Sequence, residues 1–347
     1  MKKLSLTIIS LVLALTMAFS LAGCSQKTQL SFNQNVLGGQ TSSGSSTGLL
    51  ETLTYSVNLV DNYNDLVIKS SVITDNLVKY EFSDGKMIVK LSALDFLPDG
   101  ITTDIDWTNS KIYHLETDFA INVKYTIGEN ETIHEDTIYS SCYFLSQGHS
   151  FAPIYSDYKV NNSYLRLPTS EEEKAQVEIH EYQYITSYNQ SKYTMVTNVL
   201  GDNPNSATKD YEYTYKTLID NTQLLFALRS FTVTENVTHN LPVVSPSYGL
   251  EKTLAVTLKD SSTFRNDKGI AVGEVVANNI PVNNVRYIIN STENTGSYHF
   301  VKIQKSATNE LPFKAFMVEY AAPLLAFGTF NCMGALVYTL ESVSLGN

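Results

Sequence analysis

Short runs rich in Val, Ile, Thr, Tyr and Phe recur from Leu53 onward, and each ends in a cluster of Asn, Asp or Gly. β-Branched and aromatic side chains suit the pleated, half-buried surface of a strand, and Asn, Asp and Gly supply the turns between strands. Four pairs of runs read as hairpins. Residues 77–82 and 87–94 flank 83–86, where Asp84 and Gly85 both tolerate positive φ. Residues 119–127 and 132–145 flank 128–131, residues 177–186 and 193–200 flank 187–192, and residues 270–277 and 280–289 flank Asn278 and Asn279. No helical crossover intervenes, which argues against a parallel α/β sheet. The expected fold class is all-β, a mainly antiparallel barrel or strongly curved sheet with one or two short helices.

One helix is expected where the rhythm breaks. Asn221 can cap a segment through Leu224, Leu225, Phe226, Leu228 and Arg229, whose apolar residues are spaced three and four apart. Ser170, followed by Glu171, Glu172, Glu173 and Lys174, offers a second start of about one turn.

The N-terminal residues carry an address. Met1, Lys2 and Lys3 precede an apolar run over 4–19, which ends in Leu21, Ala22, Gly23 and Cys24. A positive start, an apolar stretch and small residues before a cleavage point form an export signal, and the last four residues resemble a lipobox, whose cysteine accepts a diacylglycerol. Residues 1–23 are therefore expected to be a removed signal peptide. Cys24 is then a lipidation site that holds the chain on a cell membrane, facing outside the cytoplasm. Residues 24–49, rich in Gln, Ser, Thr and Gly, read as a flexible tether. Residues 50–347 form a β-rich body, either one large barrel or the halves 50–168 and 175–347.

The formal charge is −11, and loss of Lys2 and Lys3 takes it to −13. That excess of acid repels nucleic acid. With Cys24 assigned to lipid, Cys142 and Cys332 remain, and an even pair outside the cytoplasm suggests a disulfide. Two buried free thiols are the alternative.

Residues 180–340 carry a set of features in common. These are Asp220, Leu224, Leu225, Ala227, Leu228 and Arg229, then Gly273, Glu274, Val275 and Val276 leading to Val285, and finally Glu310, Leu311, Pro312, Phe313 and Lys314. Together they resemble the DUF3108-type family of bacterial envelope proteins. The resemblance implies a curved antiparallel sheet wrapped into a barrel or half-barrel, of the kind used by envelope lipid carriers.

Catalytic signatures are scarce. Gly44, Ser45, Ser46, Thr47 and Gly48 spell G-x-S-x-G, but in a low-complexity tether rather than between a strand and a helix. The histidines His114, His134, His149, His180, His239 and His299 are scattered, and no pair is spaced for zinc. His134 and Asp136 share a strand face without a third ligand. Asp61, Asn62, Asn64 and Asp65 could offer oxygens to calcium, yet they lack the glycine and distal glutamate of an EF loop. Neither a metal nor a cofactor is expected.

Alternation marks two aromatic rows. Tyr211, Tyr213 and Tyr215 fall on one strand face, as do His180, Tyr182 and Tyr184. Such a row can receive an acyl chain or the face of a sugar, or it can be ordinary sheet packing. The expected role is a non-catalytic binding or carrier module for an apolar or amphiphilic envelope molecule, lipid-like or glycan. The alternatives are a structural or protein-partner lipoprotein and a hydrolytic enzyme.

Overall fold

The computed structural model describes residues 47–59, 66–68, 78–108, 110–147, 150–166, 170, 173–201, 203–213, 218–230, 235–245, 250–290, 299–306, 311, 315–321 and 336–346. The signal segment, Cys24, nearly all of the tether, the 61–65 oxygen cluster, Tyr215 and Cys332 lie outside them.

The strands are β1 (Gly48–Leu59), β2 (Leu66–Ile68), β3 (Val78–Leu94), β4 (Lys111–Ile127), β5 (Asn130–Gln147), β6 (Ser150–Arg166), β7 (Gln176–Tyr188), β8 (Lys192–Val199) and β9 (Asn205–Glu212). After β10 (Ile219–Asp220), a 3-10 turn (Asn221–Gln223) leads into helix α1 (Leu224–Ser230). The chain continues as β11 (Thr238–Ser245), β12 (Leu250–Phe264), β13 (Ile270–Val272), β14 (Val275–Ala277), β15 (Ile280–Asn290), β16 (His299–Gln304), β17 (Phe316–Ala321) and β18 (Leu336–Leu345).

Backbone pairing joins them in the order β9, β8, β7, β6, β5, β4, β3, β1, β18, β17, β16, β15, β12, β11, β10. All of these pairs are antiparallel except β10 with β11. The last strand in that order folds back onto the first half of the sheet. Asp220 on β10 accepts a hydrogen bond from Ser156 Oγ on β6 at 2.6 Å, so the sheet curls until its far end meets the middle of its long-stranded half. An all-β, curved, half-barrel sheet is the result, as the alternation implied, with one short α-helix among the described residues.

Two of the four expected hairpins stand: β4–β5 turns at Gly128, with φ of 61°, and β7–β8 turns through 189–191. The other two are corrected. Residues 83–86 are not a turn, because β3 runs straight through them with a bulge between Ser83 and Lys86 opposite β4. Asp84 does adopt φ of 54°, but an extra residue in a strand uses that conformation as readily as a hairpin does. Gly85 faces the backbone of β1, where a Cβ would stand 2.3 Å from the Val57 carbonyl oxygen. Likewise Asn278 and Asn279 do not join a hairpin. The turn lies earlier, at Gly273 with φ of 58°, and pairs β13 with β14, while β15 pairs with β12 and β16.

The helical segment is capped one residue earlier than expected, and its first turn is 3-10. Asp220, in extended conformation, accepts from the Thr222 backbone N–H and so caps the segment in place of Asn221. Residues 173–175 lead into β7 without helix. β1 starts at Gly48, so the last residues assigned to the tether already belong to the sheet.

A cavity beneath the helix

The inner face of the sheet is set by register. Leu53 pairs with Val89, Val89 with Thr117, Thr117 with Ser140, and Ser140 with Tyr158. One rung along, Met87 pairs with Phe119 and Phe119 with Ile138. Cross-strand partners point to the same side, so these residues form one continuous wall. Helix α1 lies over it, presenting Leu224, Leu225, Phe226 and Arg229. From the other half of the sheet Tyr287, His299, Phe316 and Tyr338 close the space. The cavity so formed, partly open to solvent, has a volume of about 270 Å³.

Its rim is rigid. Tyr55 stacks on Phe316 with ring centroids 4.3 Å apart and gives its hydroxyl proton to the Phe316 carbonyl at 3.2 Å. Tyr287 stacks on His299 at 4.7 Å.

Helix α1 is held at both ends by buried polar groups. At its start, Asp220 is fully buried and accepts from Ser156 Oγ, from the Tyr188 hydroxyl, and from Thr222 through both N and Oγ1. Gln223 donates to the Phe151 carbonyl at 2.9 Å and accepts from the Cys142 thiol at 3.4 Å. Burial, with Asp220 nearby, pushes the Cys142 thiol well up, which removes it as a nucleophile. Cys142 is a free thiol in this arrangement; its proposed partner Cys332 lies outside the described residues.

At the other end, Arg229 donates to Glu51 on β1, and its guanidinium lies 4.7 Å from the Phe226 ring centre. Both charges are buried. Burial raises the Glu51 carboxyl, against the pull of Arg229. An ion pair removed from water gains little net stability, but either partner alone is costly there. The pair therefore pins α1 over the cavity and leaves a cation in its wall. Neither Glu51, Asp220 nor Arg229 was singled out from the sequence for this role. The one available signal was a lone arginine on an otherwise apolar helix.

The two aromatic rows have different fates. His180, Tyr182 and Tyr184 lie half-buried along β7, with neighbouring centroids 6.3 and 6.0 Å apart. Tyr164 extends the row at His180, 5.3 Å away, and Tyr158 extends it at Tyr184, 6.3 Å away. Because Tyr158 lines the cavity, the row runs from the open face to the cavity wall. Burial pushes the phenols of Tyr158, Tyr182 and Tyr184 up, most of all at Tyr158. By contrast, Tyr211 stacks on the fully buried Tyr193 at 4.9 Å, and Tyr213 also packs on it at 6.2 Å. Tyr213 donates to the Asn189 carbonyl. Tyr211 and Tyr213 thus lean, part-buried, on a closed core cluster rather than on a cavity, and Tyr215 lies outside the described residues.

His134 and Asp136 do share a face, as expected. Asp136 Oδ1 is bonded by His134 Nδ1 at 2.9 Å and by Ser163 through N at 2.8 Å and Oγ at 2.6 Å. Tyr125 and Ser163 share a further hydrogen bond at 2.6 Å. Serine and histidine both bond the same carboxylate oxygen, whereas a nucleophile must bond the base itself. Since Ser163 is also 0% exposed, the cluster ties β5 to β6. Among the described residues, no group of three or more His, Cys, Asp or Glu could hold a metal ion. No helix among them is long and apolar enough to cross a membrane.

No family model and no curated protein matches the chain. Among solved structures it is similar to a β-barrel-like protein of domain of unknown function DUF1849 from Brucella abortus, at 10% identity and a TM-score of 0.43, with 87% of this chain and 100% of that chain covered.

Proposed function

We propose that this chain is a lipid-anchored, extracytoplasmic binding module that holds an apolar or amphiphilic envelope molecule beneath α1. The observation that carries the reading is the cavity of about 270 Å³. Its wall combines aliphatic and aromatic side chains with the single cation of Arg229. Ligand pockets commonly run from about 300 to 1,000 Å³, so this one suits a single short chain or ring rather than a whole diacyl lipid. Tyr158, Tyr184, Tyr182 and His180 supply a half-buried aromatic approach to it. The lipobox-like Leu21, Ala22, Gly23 and Cys24 support the anchor, which keeps such a module at the membrane where amphiphiles reside.

A structural role is the second reading, favoured by the aromatic filling of the neighbouring interior, where Phe144, Phe151 and Phe226 meet with centroids 5.2 to 5.7 Å apart. Native mass spectrometry separates the two, on a Cys24→Ala form made in cells that supply envelope lipids. The binding reading expects a mass above the bare polypeptide, with the extra component released into organic solvent. Recovery of the bare mass, unchanged on adding those lipids, leaves the structural reading.

A further inference from the structure

On the opposite face of β1 and β18 lies a second, larger concavity of about 1,100 Å³. Tyr338 points to the cavity beneath α1, while its neighbour Thr339 lines this other cleft. The β13–β14 hairpin forms one side, attached where Ala271 pairs in parallel with Ser342 of β18. The turn after β12 forms another side and carries Arg265 and Lys268, while Lys302 enters from β16.

Three cations thus line one cleft of a chain with a net charge of −11. None of them forms an ion pair among the described residues; Lys90, Lys124, Lys159, Lys192, Arg166 and Arg229 all do. Unpaired cations gathered together repel one another, and an anion placed among them removes that repulsion. The turn that carries two of them is already ordered. Asn278 Nδ2 donates to the Asn266 carbonyl at 2.7 Å, Asn278 Oδ1 accepts from Asn266 N at 3.1 Å, and Asn266 Oδ1 accepts from Lys268 N at 3.1 Å. Gly269 has φ of 72°, and a Cβ there would meet Val276 Cγ1 at 2.2 Å. The backbone of the turn therefore has little order left to gain when a ligand arrives, and the cost that remains is the fixing of the exposed Arg265 and Lys268 side chains.

The same cleft also holds Asp267 and Glu341. Carboxylates repel an anion but accept hydrogen bonds from hydroxyl groups. The volume, moreover, is far larger than a lone phosphate requires. We infer that this cleft binds a phosphorylated polyol, its phosphate on Arg265, Lys268 and Lys302 and its hydroxyls on Glu341 and Asp267. Free polyol phosphates and the headgroups of glycerophospholipids share that chemistry.

The test uses the full chain with Cys24→Ala, titrated calorimetrically with glycerol 3-phosphate, inorganic phosphate and glycerol, and sedimented with vesicles of phosphatidylglycerol or phosphatidylcholine. Glycerol 3-phosphate is expected to bind better than inorganic phosphate, and glycerol not at all. Arg265→Gln with Lys268→Gln, both in an exposed turn, should weaken that binding about tenfold or more without moving the melting temperature. Glu341→Gln should act in the opposite sense on inorganic phosphate, tightening it, and should reduce the advantage of the polyol. Soluble binding assigns the free source. Phosphatidylglycerol-dependent sedimentation that the double variant abolishes, with soluble probes silent, assigns the headgroup. Absence of binding in both arms, or binding that the double variant leaves unchanged, overturns the inference.

Discussion

Two regions under the same curved sheet are built differently. Around the start of α1 the interior is filled: Phe144, Phe151 and Phe226 pack ring against ring, and Tyr188, Tyr193, Met195, Leu218 and Val244 continue the core beside them. Along another side of the same segment, from Asn221 to Arg229 and against Phe119 and Ile138, a cavity is left. Both regions are walled by side chains in the same alternation. The difference comes from what crosses the sheet. Asp220 draws Ser156, Tyr188 and Thr222 onto one carboxylate and pulls the start of the helix tight against β6. Arg229 and Glu51 instead hold the other end of the helix by a long side chain.

The largest way to break this contrast is to hollow the filled end. Phe144→Ala is expected to cost about 3–5 kcal/mol, because packed aromatic neighbours relax only in part around a new void. Ile138→Ala, on the existing cavity wall, should fall near 2 kcal/mol, the low end for such a truncation. Equal losses in urea unfolding for the two variants would mean that the cavity is closed in solution.

Arg229→Met tests the pin. Stranding Glu51 without its partner should cost about 3–5 kcal/mol. Joining it to Glu51→Gln should restore much of that loss, since a neutral pair carries no uncompensated charge. If the single and double variants melt together, the ion pair does not hold the helix.

Filling the cavity should have the smaller, opposite effect. Val89→Ile is expected to add about 0.5–1 kcal/mol of stability while reducing the amount of co-purified amphiphile. Stabilisation with undiminished ligand would place the ligand elsewhere.

The smallest effect is a pH dependence. Burial raises the Asp136 carboxyl above its ordinary 3.8, despite the opposing hydrogen bonds from Ser163 and His134. The folded state therefore holds that proton more tightly than the unfolded chain does. Stability from this group is lost as the pH rises from the ordinary value through the raised one, and is regained on acidification. Asp136→Asn should flatten that part of the curve, and melting profiles from pH 3 to 7 for the two proteins would check it.

How much of this could be read beforehand differs along the chain. The β4–β5 and β7–β8 pairs were plain, because a glycine or a polar loop separates two strongly alternating runs. Asp84 and Gly85 carried the same signal and meant something else. Positive φ is needed by a bulge as well as by a turn, and only the presence of β1 alongside, too close for any Cβ at residue 85, distinguishes them. The His180–Tyr182–Tyr184 and Tyr211–Tyr213 rows were indistinguishable in sequence. Both are half-buried, but one borders the cavity wall through Tyr158 while the other packs on the buried Tyr193. Asp220 entered the sequence reading only through the family resemblance and is a buried hub, because Ser156 and Tyr188, which make it one, come from strands far away in sequence.

The sequence by itself determined the all-β class, the place of the single helix in the described residues and the acidic balance. Strand propensity, alternation and charge are local or additive, and each can be summed along the chain. Tertiary structure decided what those faces enclose. Arg229 meets Glu51 across 178 residues, and three cations scattered between Arg265 and Lys302 come to line one cleft. A period of two tells which side chains share a face, but whether another layer, a void or water covers that face depends on how far the sheet curls, and that is set by contacts between residues distant in the chain.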